Sequence, residues 1–242
     1  KKFDKKYSIT LLDIYQENGL LSKIFGMQSM PIDTFHLNDV EPFIRSDGKL
    51  IVLLSIRNQS TVMALDIESK KIIWIVDNVI TRQHDVDIIS SKNDMIDITI
   101  FDNNAWKTKK MSDGISKGNR VIFLENLPTY PQEDTIFIST KKQHEKYGLK
   151  VINFDWLESN LKPRTISGGL SEVLLPNNSL MIEETNYGRI FEIDLETKET
   201  LWQFINKTQK DATPFYTKWS RRISKLPGDL NKNSFKECKL DL

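Results

Sequence analysis

Asp66-Ile67-Glu68-Ser69-Lys70-Lys71-Ile72-Ile73-Trp74 and Asp194-Leu195-Glu196-Thr197-Lys198-Glu199-Thr200-Leu201-Trp202 align without a gap, with acids, hydroxyl, lysine and tryptophan in step at an offset of 128 residues. The match runs backwards at the same offset, so that Asn58 falls on Asn186 and the run Thr61 to Leu65 on Arg189 to Ile193. Each copy reads as an alternating apolar strand, an Asn-containing turn, a second strand, an acidic-polar turn and a third strand ending in Trp. Propeller blades of four antiparallel strands recur every ~40–50 residues, so the offset predicts three blade intervals of about 43 residues each.

The two clear blades are His36 to Val76 and Ser167 to Ile205. Between them, one blade is expected from His84, with strands over 85–89, 96–101 and 121–124. Another is expected over Thr135 to Ser139 and Leu149 to Phe154, with Trp156 beyond it. The turn pairs Asp47-Gly48 and Asn177-Asn178 recur at blade spacing. The expected fold is therefore all-β, a partial β-propeller of about four blades of a six-bladed type. Residues 1–242 form one domain in this reading, a C-terminal fragment of a longer propeller, because first and last blades must meet to close the ring. Trp74 and Trp202 are assigned to blade-to-blade packing.

Three segments stand outside the blade pattern. Residues 1–30 read as a helical packing segment, with helical periodicity from Thr10 to Phe25 broken near Gly19. The stretch Asn104 to Asn119 is polar and carries Lys107, Lys109, Lys110 and Lys117, which predicts a long loop, either simply exposed or covering a site. Residues 207–242 form a basic tail with nine Lys or Arg against four Asp or Glu, a solvated face or a binding patch.

With 39% hydrophobic and 28% charged residues, the chain has enough apolar material for a sizeable core, which excludes disordered and collagen-like classes. Its most apolar run, Leu50 to Ile56, stops at Arg57, far short of the ~18 residues of a membrane helix. The 34 basic and 33 acidic residues give +1, so no global field draws the protein to nucleic acid or anionic lipid. Cys238 is the sole cysteine, which excludes an internal disulfide and a cysteine-based metal cluster.

Propeller geometry places the start of each innermost strand and the end of the second on one face. His36 precedes the inner strand Val40 to Ile44, and His84 precedes Val86 to Ile89 one blade on. Arg57 ends one second strand, and Asp102, Asn103 and Asn104 end the next. Either histidine alone reads as a satisfied structural residue; two at one opening beside an arginine read as function. Imidazole, with a reference pKa near 6.5, serves as nucleophile, base or acid near neutrality, and a guanidinium offers a planar fork for oxyanions. The set suits a small tetrahedral anion. A divalent ion on two histidines with Asp39 or Asp85 is a rival that Arg57 opposes, and no calcium set for a quinone cofactor is identifiable. The site is read with no metal and no cofactor. His144 sits in a polar run and is expected to be exposed, while Glu183 and Glu184 read as a solvated strand end or as acid catalysts.

The same residues resemble the arylsulfotransferase family of β-propellers. Phe35-His36-Leu37-Asn38-Asp39 is similar to its His-x-Asn-Asp/Ser motif, and Ser55-Ile56-Arg57 to its Ser-x-Arg motif about 20 residues on. Gln83-His84-Asp85 followed by Phe101-Asp102-Asn103 resembles its Gln-His-Asp and Phe-Asp-Asn pair, and Glu183 to Arg189 a glutamate-and-Gly-Arg segment; the likeness covers about residues 33 to 206. The resemblance implies transfer of a sulfuryl group from a phenolic sulfate ester to a phenolic acceptor through a sulfohistidine, with small-molecule aryl sulfate and phenol as partners and no nucleic acid. By motif, His84 is the nucleophile, His36 and Arg57 hold sulfate oxygens, and Asn38, Asp39, Asp85 and Asn103 flank the substrate. The family's additional histidine from an earlier blade has no counterpart, so the acid that protonates the leaving phenol is unassigned. The family also implies a periplasmic or secreted protein, with a membrane anchor upstream of Lys1 left open, as is the oligomeric state. The alternative is a non-catalytic propeller that binds a protein or carbohydrate in its central channel.

Overall fold

A computed structural model describes residues 8–24, 33–108, 111–159, 161–175 and 177–206; the expected basic tail and the remainder of the N-terminal segment lie outside the described residues. The first sheet is a meander of β1 (Leu37–Ile44), β2 (Leu50–Ile56), β3 (Thr61–Asp66) and β4 (Lys71–Val76), each antiparallel to the last. The second runs through β5 (His84–Lys92) and β6 (Met95–Asp102). A separate hairpin of β7 (Ala105–Thr108) and β8 (Met111–Ser116) follows, and then β9 (Arg120–Pro128) pairs with β6. The stretch expected to be a long loop is thus largely this hairpin.

The segments expected to make a separate blade over 135–154 do not form a sheet of their own. β10 (Ile136–Ile138) adds parallel to β4, and β11 (Lys150–Ile152) adds antiparallel to β9. Strands of three residues present too little surface to bury a face alone, so each completes an existing edge. The third sheet is again a meander: β12 (Leu170–Leu174), β13 (Ser179–Glu184), β14 (Arg189–Asp194) and β15 (Thr200–Ile205). The described residues therefore build three four-stranded meanders, one with an added edge strand, where four blades were expected. The 128-residue offset spans two sheet intervals rather than three.

The repeat motif has a local cause. Asp66 Oδ1 accepts the Ser69 N–H at 2.9 Å and Asp194 Oδ1 the Glu196 and Thr197 N–H groups at 2.8 and 2.7 Å, closing the turn from third to fourth strand. Lys70 and Lys198 then take left-handed conformations at φ 56° and 66°. Both carboxylates act as turn acceptors, which explains why the acid recurs.

The sheets pack in chain order. Leu53, Val62, Ala64 and Trp74 of the first meet Ile98, Ile100, Ile122 and Leu124 of the second. Phe101, Val121 and Phe154 meet Leu180, Ile182, Phe191 and Ile193 of the third. The other face of the first sheet is covered by α1 (Leu11–Glu17) and α2 (Leu21–Ile24), through Ile14, Tyr15 and Ile24. Thr10 caps α1, and the helix breaks at Asn18 and Gly19 as the periodicity predicts, with Gly19 at φ 69°. Covered on both sides, β2 is apolar without alternation. α3 (Lys141–Lys146) leads into β11, and no described helix is long and apolar enough to cross a membrane.

Trp74 and Trp202 are repeat equivalents with different surroundings. Trp74 is 0% exposed against the second sheet and donates Nε1–H to Pro128 O at 3.0 Å, whereas Trp202 is 41% exposed and donates to Glu192 Oε2. Trp74→Ala is expected to destabilise by about 3–5 kcal/mol in urea unfolding, and Trp202→Ala by about 1 kcal/mol. Equal losses contradict this difference in packing.

Candidate active site

In each of the three larger sheets described, the segment that enters the first strand is tied to the segment that leaves the second. Asn58 donates Nδ2–H to Asp33 O at 2.5 Å, Asp102 Oδ1 accepts the Thr81 N–H at 2.7 Å, and Asn186 Oδ1 accepts the Ile166 and Ser167 N–H groups at 2.8 and 3.0 Å. Successive first strands are then joined: Asp39 Oδ2 accepts the Val86 N–H at 2.7 Å, and Asp85 Oδ2 the Ser171 N–H at 2.8 Å. These bonds gather loop ends of the sheets around a cavity of about 520 Å³, whose lining includes Asn38, Asp39, His84, Asp85, Gly168 and Glu183.

His84 is oriented by Asn103. The Asn103 amide donates to Thr165 O at 3.1 Å and Gly168 O at 2.8 Å, which turns its Oδ1 toward His84 Nδ1 at 2.6 Å. Nδ1 therefore carries the proton, and Nε2 holds an in-plane lone pair that accepts the Gly168 N–H at 3.1 Å. Burial, followed by the nearby Arg57 and His36, lowers the imidazole pKa to about 4, against the hydrogen bonds to Asn103 and the Arg82 backbone. At neutral pH the ring is uncharged, with its nucleophilic pair on Nε2.

Arg57 begins the 3₁₀ turn after β2 and donates Nη1–H to Asn58 Oδ1 at 3.0 Å; its Nε is buried without a partner among the described residues. Burial and the neighbouring Arg82 guanidinium hold its pKa below the usual arginine value, with Asp33 opposing. Arg82 is buried, its backbone left-handed at φ 52°, and burial lowers its pKa too. His36 is exposed at φ 50°, with Nδ1 on the Asp33 carboxylate. The two guanidiniums lie close enough for the charge of Arg82 to act on Arg57.

Among the residues picked from sequence, Asn38, Asp39, His84 and Asp85 line the cavity, His36 and Arg57 stand beside His84, and Asn103 lies behind its ring. Asp39 and Asp85 bind backbone amides of the next sheet, so their carboxylates hold the frame. Asn38 donates to Gln83 O at 2.8 Å, and its Oδ1 is buried without a partner among the described residues. His144 is half-buried on α3, where exposure was expected, and is not part of the cavity wall. Glu183 and Glu184 are both buried, which overturns the solvated strand end. Glu184 is structural: it accepts from Arg189 and the Arg164 N–H, while burial raises its pKa against the Arg189 charge.

Arg82, Gly168, Gly169 and Thr185 escaped the sequence reading. Gly168-Gly169 precedes β12 where His36 precedes β1 and His84 opens β5, a substitution within the repeat. A Cβ on Gly169 would lie 2.4 Å from Phe101 Cε1 and one on Gly168 2.8 Å from Thr185 Oγ1, at φ of 92° and 66°, so side chains are excluded there.

A neutral, oriented imidazole with Arg57 and His36 close by stands at one end of a frame of antiparallel strands. The family model described as Arylsulfotransferase (ASST) matches residues 9–207, and the chain belongs to the arylsulfotransferase family. No curated protein matches the sequence.

The depressed His84 pKa links stability to pH. Below the unfolded value near 6.5 the unfolded state binds a proton that the folded state refuses until about pH 4, so stability falls as pH falls through this window. The urea midpoint, followed from pH 7 to 4, is expected to drop less steeply in His84→Asn than in the wild type. Parallel profiles contradict the assignment.

Proposed function

We propose that the three meanders are successive blades of a partial β-propeller, and that the protein transfers a sulfuryl group from a phenolic sulfate ester to a phenolic acceptor through a sulfohistidine at His84. The observation that carries this reading is the fixed Nδ1–H tautomer, which leaves the nucleophilic pair on Nε2 of a ring within reach of the Arg57 charge. In the first half-reaction the Nε2 pair attacks sulfur, the S–O(aryl) bond breaks, and its electron pair leaves with the phenolic oxygen. In the second, the acceptor oxygen attacks sulfur and the N–S pair returns to the ring. Arg57, whose Nε has no partner among the described residues, and His36 hold the sulfuryl oxygens. The Gly168 N–H, released from Nε2 by the incoming donor, becomes a further oxyanion donor.

That same bond from Gly168 favours the second reading, a channel that binds a protein or carbohydrate ligand without chemistry, because it occupies the lone pair the reaction needs. Intact mass after brief incubation with 4-nitrophenyl sulfate separates the two. Sulfuryl transfer predicts a gain of about 80 Da with release of 4-nitrophenol, absent in His84→Asn. Arg57→Ala is expected to slow adduct formation by about 10²–10³-fold. A folded protein that forms no adduct and releases no phenol from several donors supports the binding channel.

A further inference from the structure

The cavity also holds a buried carboxyl, Glu183, with a hydroxyl among its partners. Asp39 accepts two backbone N–H groups, Val40 at 2.9 Å on Oδ1 and Val86 at 2.7 Å on Oδ2, and Asp85 accepts the Ser171 N–H. An amide donates in every protonation state of its partner, so it suits a carboxylate that stays ionised. Glu183, 1% exposed and lining the same cavity as His84, counts among its contacts the hydroxyl of Thr185, which it accepts at 2.8 Å. Thr185 Oγ1 in turn accepts the Gly169 N–H at 2.7 Å. A hydroxyl donates to a carboxylate and, by rotating, accepts from a carboxylic acid, so this partner follows Glu183 through a change of protonation. Glu183 is paired with Leu170 across β13 and β12, next to the Gly168-Gly169 turn that touches His84 Nε2.

We infer that Glu183 is the proton carrier of the site, taking the phenolic proton from the acceptor and returning it to the next leaving phenolate. The inference rests on the sulfuryl-transfer reading above. In the second half-reaction the acceptor O–H proton passes to Glu183 as its oxygen bonds to sulfur and the N–S bond breaks. In the following first half-reaction the carboxylic acid gives that proton to the departing phenolic oxygen as the S–O bond breaks. Over a full cycle Glu183, Thr185 and His84 are unchanged, and aryl sulfate plus phenol become phenol plus aryl sulfate. Thr185 positions and follows the carboxyl; it does not exchange the sulfuryl group.

The test compares adduct formation on His84 in wild type and Glu183→Gln with two donors. The phenolate of 4-nitrophenyl sulfate departs unaided, whereas that of phenyl sulfate belongs to a phenol with a pKa of about 10, like a tyrosine, and needs a proton. Glu183→Gln keeps the oxygen that receives the Thr185 hydroxyl but carries no acidic proton. The variant is expected to slow adduct formation about 10²-fold with phenyl sulfate and less than about 3-fold with 4-nitrophenyl sulfate. Equal slowing with both donors, or none, overturns the role of Glu183 while the adduct itself leaves sulfuryl transfer standing. Absence of any adduct in the wild type overturns both. Should Glu183→Gln fail to fold, Glu183→Asp, with its carboxyl withdrawn by one methylene, is expected to show the same donor-dependent loss, and a donor-independent loss overturns the proposal.

Discussion

Two hydrogen bonds of one kind hold the site together: a carboxylate on the first strand of a sheet accepts a backbone N–H from the first strand of the next. Asp39 reaches Val86 and Asp85 reaches Ser171. Bonds to a charged acceptor contribute about 1.5–3 kcal/mol each, modest beside the apolar burial between the sheets. Their value lies in direction. Apolar faces such as Leu53 against Ile98, or Phe101 against Leu180, fix the separation of the sheets but tolerate sliding along the strands. The carboxylate bonds fix the sliding coordinate, and His84, between two such links, inherits its position from them.

The second constraint is the closing of each sheet on itself, through Asn58, Asp102 and Asn186. Asp102 shows its cost: burial raises its pKa, and Arg120 on β9 opposes the shift. The result is a set of short, pinned loops in which left-handed backbone persists at His36, Arg82, Asp85 and Asn104, φ 48–52°. Non-glycine residues there cost about 1–2 kcal/mol each, sustained by the surrounding bonds. Such a frame keeps an imidazole uncharged and one amide against its lone pair.

Much of this was legible in the sequence because it is repeated. The Asp-x-Glu-hydroxyl-Lys turn, the Asn after the second strand and the break at Gly19 each have a local cause, so they announce themselves within a few residues. His36, Arg57 and His84 were found together because topology, once inferred, places strand ends side by side. What failed was edge assignment. Ile136–Ile138 and Lys150–Ile152 have strand composition, but the partner each chooses depends on edges made by β4 and β9, and periodicity carries no such information. The same holds for Asp39 and Asp85, whose residue type suits ligand binding as well as framing; only the position of Val86 and Ser171 decides. Arg82 and Thr185 were missed because a buried arginine in a loop and a threonine after a strand look ordinary until their neighbours are known.

The hydrogen-bonded frame and the cavity groups occupy separate atoms of the same short loops. Strands, turn acids and sheet-to-sheet carboxylates specify the scaffold, while His84 and the Gly168-Gly169 turn line the cavity, with His36 and Arg57 close to His84. The scaffold is therefore separable from chemistry: a handful of rim residues, altered with the strands left untouched, changes what such a site handles. Within such a family, kinship of fold travels further than kinship of reaction, and each rim has to be read residue by residue.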